Sequence, residues 1–394
     1  MQAGKSARTF PGVVRIALLA ITTLFAWSIA AEASWNVVMY DNRRYVPLED
    51  VATFYKMNTP VMNGKKFRIA TTGRSIEGSA EGRDIFINGV KYVLCFPIAT
   101  KNGKSMISAM DVVKIIEPIL RPQKIKDAGA VRTVILDAGH GGHDSGARGP
   151  LGAEKDATLD VVLRAKKLLQ ESGYQVRCTR LTDTFIPLEK RAEFANKHTN
   201  AIFVSVHFNK SNTGGGTGLE TYCLAPRGVP SMDEENLRYS DFVQYAGHAR
   251  DAENVALATT VHASLVRTLG LTDRGIKRAR FVVIKNVTVP GILVEGGFMS
   301  GAPDYKLIAT PDYRQKMAQS IVDGINRYKQ AVSGEVTYQR PSAVATATDP
   351  TTVPSLTQAT PTPAPSPAPI GEKSSRNSSV VKAQDALETS IKGN

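Results

Sequence analysis

Two histidines and two glutamates are the residues of this chain that could hold a metal ion and activate a water molecule. His140 and Glu154 are 14 residues apart in the sequence, and His207 follows 53 residues after Glu154. This spacing is too long for a metal motif on one helix, so the fold must bring the three side chains together. Two imidazoles and a carboxylate suit Zn²⁺ and leave a fourth position for water. Glu295 supplies a second carboxylate, which could take a proton from that water.

Three of these residues come at the ends of predicted strands. An apolar run at residues 132–137 ends in a glycine-rich turn that holds His140. A second apolar run at residues 201–206 ends directly before His207, and Glu295 closes a third. Open α/β sheets place their functional sites at the carboxyl ends of strands. The pattern therefore predicts one metal centre at that edge of a sheet.

Helical patterns separate the strand patterns between residues 131 and 330, and the first of them begins near Glu154. Alternating strands and helices imply a mostly parallel sheet that is covered on both faces. We therefore expect an α/β fold with a mostly parallel twisted sheet and helices on both faces. We assign residues 131–330 to one catalytic domain, and the length of 394 residues leaves room for others.

The first 33 residues have the pattern of an export signal. Basic residues precede an uncharged apolar run at residues 16–30, and Ala31-Glu32-Ala33 provides the small residues that a signal peptidase requires. The run is shorter than the roughly 20 residues of a transmembrane helix. We expect a cleaved signal peptide at residues 1–33, with a retained membrane anchor as the alternative. Cleavage would leave an exported protein of the periplasm or cell envelope with no stable membrane span.

The charge balance favours a polyanionic neighbour. Lys and Arg total 49 against 36 Asp and Glu, which gives a net charge of +13 and an isoelectric point of about 9.6. Nucleic acid, anionic lipid and an acidic wall polymer would all suit this charge. Export and the lack of a nucleic-acid reader motif argue against nucleic acid. Three cysteines are too few for a disulfide scaffold or a multi-cysteine zinc cluster.

The segments that flank the catalytic domain have other compositions. Residues 34–122 combine short strand and helix patterns, with a hairpin predicted at 84–93 around Asn88-Gly89. We expect a small α+β domain that is similar to amine-oxidase N-terminal-like modules and either binds the wall or a partner or serves as a folded spacer. Residues 331–394 contain eight prolines among many Ser, Thr and Ala residues, so we expect a disordered tail.

The segments around the four site residues resemble one enzyme family, the zinc-dependent N-acetylmuramoyl-L-alanine amidases of the type-3 wall-amidase group. The matching segments, in chain order, are residues 136–142, 152–156, 180–183, 205–209, 273–277 and 290–298. The chain departs from the family pattern at three places, since Ala138 stands in place of proline, Phe208 in place of a small residue, and Gly296-Gly297 where a bulkier residue often comes first. Each segment alone is a weak signal, but their shared order is a strong one.

This resemblance implies an enzyme that hydrolyses the amide between N-acetylmuramic acid and L-alanine in peptidoglycan. One Zn²⁺ ion would be bound by His140, Glu154 and His207. Glu295 would act as the general base and return its proton to the departing amine. The implied partners are peptidoglycan and an activating protein, because some members of the family hold a helix over the zinc until a partner removes it.

Several alternatives stay open at this point. The long connection at residues 225–251 is either such a gating segment or an exposed variable loop. The enzyme could instead be a zinc peptidase that cuts within the stem peptide. A non-catalytic or autoinhibited wall-binding protein with the same fold is a third candidate.

A few further polar residues allow two interpretations each. His143 is either a third imidazole ligand or a polar loop residue, and Asp137 is expected to orient the loop of the first histidine. Arg148 and Arg191 either meet substrate carboxylates or form structural ion pairs. His262 lies in a polar helical stretch and is expected at the surface.

Overall fold

The computed structural model describes residues 35–334, with the exception of residues 127, 129, 130, 212, 214, 233 and 235. The predicted export signal at residues 1–33 lies outside the described residues, as does nearly all of the predicted tail at 331–394. Within the described part of the chain, no helix is long and apolar enough to cross a membrane.

Short strands dominate the first part of the chain. In order, they are β1 Val38–Tyr40, β2 Arg43–Pro47, β3 Val61–Asn63, β4 Lys66–Thr71, β5 Arg74–Ser79, β6 Asp84–Ile87, β7 Val90–Val93, β8 Ala99–Lys101 and β9 Lys104–Ser108. The helices are α1 Leu48–Phe54, α2 Ala109–Asp111 and α3 Glu117–Leu120. The predicted hairpin is confirmed between β6 and β7, where Asn88 and Gly89 both have positive φ angles, as a tight hairpin turn requires.

Strands and longer helices alternate in the second part of the chain. The strands are β10 Thr133–Ala138, β11 Arg148–Gly149, β12 Gly152–Ala153, β13 Gln175–Cys178, β14 Ala201–Asn209, β15 Leu219–Leu224, β16 Asp273–Ala279 and β17 Gly291–Phe298. The helices are α4 Glu154–Glu171, α5 Leu188–Asn196, α6 Asp251–Leu269, α7 Val282–Lys285, α8 Asp304–Ile308 and α9 Pro311–Ser333.

Most of these strands join one large sheet. Its order over the described residues is β13-β10-β14-β17-β15-β16-β7-β6-β5-β4-β3. The neighbouring strands β13, β10, β14 and β17 pair parallel with one another. Strand β15 pairs antiparallel with β17, and the five strands in the order β7-β6-β5-β4-β3 pair antiparallel. The predicted α/β class is therefore confirmed, with a sheet that is mixed over its full width.

The sheet continues across the expected boundary between the two domains. β16 pairs parallel with β7 through Ile276 and Tyr92, and the backbone N–H of Lys91 donates to Asp273. The hydroxyl of Tyr92 also lies 3.1 Å from that of Thr259 on α6. The separation of residues 34–122 from 131–330 stays a prediction about independent folding, and the structure joins both through one sheet.

Alternation along the strands creates two different faces. Val134, Leu136 and Val204 point toward one face, where α4, α6 and α9 contribute the other core side chains. Ile135 and Phe203, one residue out of phase, point toward α5 and α7 on the opposite face. A strand period of two residues explains this division, and helices therefore cover both faces, as predicted.

The last helix is longer than the composition suggests. Helix α9 continues to Ser333, three residues beyond position 330, and Gly334 ends it with a φ of 78°. Ala331 is buried in this last turn, so the start expected for the tail is three residues too early. The tail itself lies outside the described residues.

Candidate metal centre

His140, Glu154 and His207 lie together where β10 and β14 end and α4 begins. The Nε2 atom of His140 is 3.0 Å from Oε1 of Glu154, and Nδ1 of His207 is 2.9 Å from the same oxygen. One ligand atom from each residue lies within 4.8 Å of the other two. The structure thus brings into one cluster three residues that are far apart in the sequence.

The turn that carries His140 places its ring between two carboxylates. His140 has a φ of 59°, which is uncommon for a residue other than glycine. Its Nδ1 lies 2.8 Å from Oδ2 of Asp144, while Nε2 faces Glu154. A carboxylate behind a ligand histidine fixes the ring orientation and raises its basicity. Asp144 is not among the residues predicted from the sequence, although its position just after the glycine-rich turn is a local signal for such a role.

Two glycines allow the backbone to pass close to the ligand side chains. A Cβ atom at Gly139 would lie 2.3 Å from the ring of His207. A Cβ atom at Gly146 would lie 2.5 Å from Oε2 of Glu154 and from the ring of His140. These distances are far below van der Waals contact, so any larger residue would displace a ligand.

A buried ion pair supports the same turn from below. Asp137 is fully buried and accepts hydrogen bonds from Thr179, Ser205 and Arg191. Arg191 is only 2% exposed and also donates to the carbonyl oxygens of Ala138 and His140. Arg191 therefore forms a structural ion pair with Asp137. Asp137 holds Arg191 in place, and Arg191 in turn fixes the backbone of the His140 turn.

Glu154 is the first residue of α4 and is held by two backbone amides. The N–H of Ala147 donates to its Oε2 at 2.8 Å, and the N–H of Phe208 donates to its Oε1 at 3.0 Å. Burial alone would raise the pKa of Glu154, but His140 and His207 outweigh it and the pKa is lowered. Glu154 is therefore an anion at neutral pH.

Glu295 lies one strand away from the cluster. It is the register partner of His207 in the parallel pair of β14 and β17, so both side chains point to the same face of the sheet. Its Oε2 atom is buried and has no hydrogen-bond partner among the described residues. Burial, followed by the charges of Glu154 and Glu220, raises the pKa of Glu295 well above its ordinary value.

The electrostatics of the cluster favour a cation. Burial alone would lower the pKa of His140, but Glu154 and Asp144 raise it to about 10. The imidazole thus takes up positive charge, because the carboxylates of Asp144 and Glu154 contact its two nitrogens. A bound cation would meet the same demand.

Comparisons with known proteins identify the family. A family model described as N-acetylmuramoyl-L-alanine amidase matches residues 134–327. The N-acetylmuramoyl-L-alanine amidase AmiA of Escherichia coli K12 is 33% identical over 252 residues, which cover 58% of this chain and 87% of that protein. This chain belongs to the N-acetylmuramoyl-L-alanine amidase family. The predicted family and the predicted enzyme class, an amidase, are confirmed.

Other relatives of the amidase each match about half of this chain. The uncharacterized protein YqiI of Bacillus subtilis 168 is 34% identical over 197 residues, which cover 50% of this chain and 84% of that protein. Among solved structures, the amidase AmiC2 of Nostoc punctiforme is 33% identical and covers 51% of this chain and 99% of its own, with a TM-score of 0.42.

A second acidic residue of the amidase stands beside Glu295. Glu220 on β15 is the antiparallel register partner of Glu295 and is 2% exposed. Its carboxylate accepts hydrogen bonds from Arg274 at 2.5 Å, Lys277 at 2.7 Å and the hydroxyl of Tyr222 at 2.6 Å. From the sequence, residues 273–277 carry only the family match and nothing singles out Glu220, because its partners Arg274 and Lys277 lie 54 and 57 residues further along the chain.

The other residues that the sequence left with two interpretations lie outside the three-residue cluster. The ring of His143 packs against Phe185, with centroids 4.2 Å apart, and is not among the clustered ligands. Arg148 is exposed on β11. The expectation of a surface position for His262 is wrong, because His262 is fully buried and its ring nitrogens lie 2.9 Å from Thr221 and from Asp273.

The long connection at residues 225–251 begins at the edge of the sheet away from the metal cluster. It leaves the sheet after Leu224, four residues beyond Glu220, or about 13 Å further along the strand. Arg280, at this distant edge, donates to the carbonyl oxygens of Pro226 and Val229. These contacts hold the described start of the connection at the edge of the sheet away from the cluster, and a gating role for residues 225–251 stays a prediction.

Proposed function

We propose that this chain is an exported, zinc-dependent enzyme that hydrolyses the amide bond between N-acetylmuramic acid and L-alanine of peptidoglycan. The observation that carries the proposal is the convergence of His140, Glu154 and His207 beside Glu295, whose buried Oε2 has no hydrogen-bond partner among the described residues. Family membership supports the bond that is cut, since AmiA is named for this activity.

The donor set fits zinc. Ligand atoms at about 2.0–2.2 Å from a tetrahedral Zn²⁺ lie about 3.3 Å from one another. The distances of 2.9 and 3.0 Å from Glu154 to the two imidazoles are close to that value. The contact between His140 and Asp144 adds the outer carboxylate that is common behind zinc histidines.

The role proposed for Glu295 follows from its position and environment. Zinc, when bound, would supply Lewis acidity that activates a water molecule and polarises the substrate carbonyl. Glu295 would take one proton from the water molecule while the oxygen of that water bonds to the carbonyl carbon. It would then give that proton to the alanine nitrogen as the carbon–nitrogen bond breaks. Its raised pKa suits a group that must both accept and return a proton.

Export and partners rest on sequence features. The pattern at residues 1–33 supports secretion to the periplasm or cell envelope, where peptidoglycan is found. The net charge of +13 suits a polymer that carries many carboxylates. An activating protein partner stays a prediction, as does a regulatory role for residues 225–251.

Product analysis tests the proposal. Residues 34–394 are purified and incubated with isolated peptidoglycan, and mass spectrometry identifies the released fragments. The amidase should release stem peptides with an alanine N-terminus and leave a free lactyl carboxylate on the glycan. Cleavage within the stem peptide would identify a peptidase instead, and no release would leave a wall-binding protein.

Two further experiments test the roles of Glu295 and of the metal ion. Glu295→Gln keeps the shape of the side chain and should abolish release, while the matched variant Glu77→Gln changes an exposed glutamate on β5 and should not. A chelator should stop the reaction and Zn²⁺ should restore it. Release by Glu295→Gln at the wild-type rate would contradict the role of Glu295.

A further inference from the structure

Arg274 presents a fixed, partly exposed guanidinium beside the site. Its Nε donates to Glu220 at 2.5 Å, and its guanidinium carbon lies 5.1 Å from the centre of the Phe298 ring. The side chain is 41% exposed, and its two terminal nitrogens make no hydrogen bond to a described residue. Its orientation is therefore set while its outer donors remain available.

The local charges leave this guanidinium only partly neutralised. Arg274 and Lys277 share one oxygen of Glu220, so two cations meet a single carboxylate. Lys277 is buried and lies over the ring of Tyr222, out of reach of a ligand. Arg274 is the member of this group that can accept an anion from solvent, and a guanidinium matches a carboxylate with two parallel hydrogen bonds.

The order of the strands gives the direction of the substrate. The metal cluster lies on β10, β14 and α4, Glu295 lies on the next strand, and Glu220 and Arg274 follow on β15 and β16. Under the proposed function, on which this inference rests, the carbonyl lies at the metal and the departing amine lies at Glu295. The stem peptide then continues away from the metal and passes over β15 and β16.

We propose that Arg274 binds a carboxylate on the second residue of the stem peptide. Directly opposite residues of an antiparallel pair have Cβ atoms about 5 Å apart, which places Glu220 and its bound guanidinium one strand beyond Glu295. Two extended residues reach about 7 Å from the departing amine. The second residue of the stem peptide thus falls beside Arg274. Arg274 then selects stem peptides with a free carboxylate on that residue over amidated ones.

Binding of the leaving peptide tests this assignment without turnover. The probes are the tripeptide L-alanyl-γ-D-glutamyl-L-lysine, which has a free α-carboxylate on its second residue, and the same peptide with an α-carboxamide. Isothermal titration calorimetry with zinc-loaded residues 34–394 should show that the wild type binds the acid more tightly by about tenfold or more. R274Q should lose this preference, and R274K should keep part of it.

Matched controls separate binding from folding. Arg148→Gln removes an exposed arginine on the metal side of the sheet and should keep the preference for the acid. The thermal midpoint of each variant checks that the fold is intact. Equal binding of the two peptides by the wild type, absence of binding, or a preference retained in R274Q would each overturn the assignment.

Kinetics distinguish this inference from the proposed function. The same two peptides, attached to N-acetylmuramic acid, serve as substrates. R274Q should raise KM for the acid at least about tenfold more than for the amide, with kcat changed far less. A lack of cleavage with the binding preference intact would count against the proposed function alone, and a loss in kcat for both substrates would count against a role for Arg274 in selection.

Discussion

Glu220 lies directly opposite Glu295 in the antiparallel pair of β15 and β17, so two carboxylates occupy one row of the sheet. Glu220 is neutralised by Arg274 and Lys277. Glu295, in contrast, has a buried oxygen with no hydrogen-bond partner among the described residues. The two environments push the pKa values apart, lowering that of Glu220 and raising that of Glu295. This division supports the proposal that Glu295 transfers the proton, while Glu220 is held as an anion by Arg274 and Lys277.

Glu220→Gln should shift the pH dependence of hydrolysis. Burial and then the charges of Glu154 and Glu220 raise the pKa of Glu295, so removal of the Glu220 charge should lower it. A general base works when deprotonated, and the acid limb of kcat/KM should therefore move to lower pH. Profiles of the wild type, Glu220→Gln and the distant control Glu77→Gln would measure this. An acid limb that stays in place or moves to higher pH would contradict it.

Asp144→Asn should weaken metal binding without unfolding the chain. Asp144 contacts His140 on the side away from Glu154, and loss of such an outer carboxylate typically costs about 10–100-fold in metal affinity. Competition with a chromophoric chelator would measure the zinc affinity. His143→Ala is the matched control, since its ring packs on Phe185 and should leave the affinity unchanged. A larger loss of zinc affinity in His143→Ala than in Asp144→Asn would indicate that His143 binds the metal.

Gly139→Ala should displace a ligand by sterics alone. The added Cβ would lie 2.3 Å from the ring of His207, so the imidazole must move and the bound zinc should be lost. Gly215→Ala offers a control, because a Cβ there would meet nothing within 4 Å. The zinc content of the purified variants, measured by mass spectrometry, should fall only for the first. Full zinc occupancy in Gly139→Ala would show that the ring can shift at no cost.

The sequence predicts much of the fold because the apolar patterns keep their period. Strand residues 133–138 and 201–206 are all buried, and a site residue follows each run at its carboxyl end. The position after a strand therefore identifies His140 and His207 from local sequence. The glycine-rich turn adds a second local signal for His140.

Other features depend on contacts between distant segments and leave no local pattern. Glu220 gains its role from Arg274 and Lys277, which lie 54 and 57 residues away. His262 has no local signal that marks it as buried, yet Thr221 and Asp273 form hydrogen bonds with its ring inside the core. The joining of β7 to β16 likewise rests on pairing that no short motif predicts.

Asp137→Asn should destabilise the chain most at neutral pH. Burial alone would raise the pKa of Asp137, but Arg191, Thr179 and Ser205 outweigh it and lower the pKa. Removal of one partner from a buried ion pair costs about 3–5 kcal/mol. The stabilising effect of Asp137 is present above its unfolded pKa of about 3.9 and is lost as the pH falls through the lower folded value.

Urea unfolding at several pH values would measure this effect. The difference in unfolding free energy between the wild type and Asp137→Asn should be largest near neutral pH and should shrink below about pH 4. Asp312→Asn, at an exposed residue of α9, is the control and should change little. A difference that is constant with pH would mean that the Asp137 charge does not stabilise the fold.

Tyr239→Ser should leave hydrolysis of peptidoglycan unchanged. Tyr239 is 89% exposed and belongs to the connection at residues 225–251, which is anchored through Arg280 at the edge of the sheet away from Glu295. Surface changes of this kind alter free energies by at most about 0.5 kcal/mol, so kcat/KM should stay within about twofold of the wild type. A rise in rate would instead mean that this connection swings over the metal cluster and holds the enzyme inactive. A fall in rate on whole peptidoglycan, with soluble muramyl peptides unaffected, would mean that the polymer rests on this edge during hydrolysis.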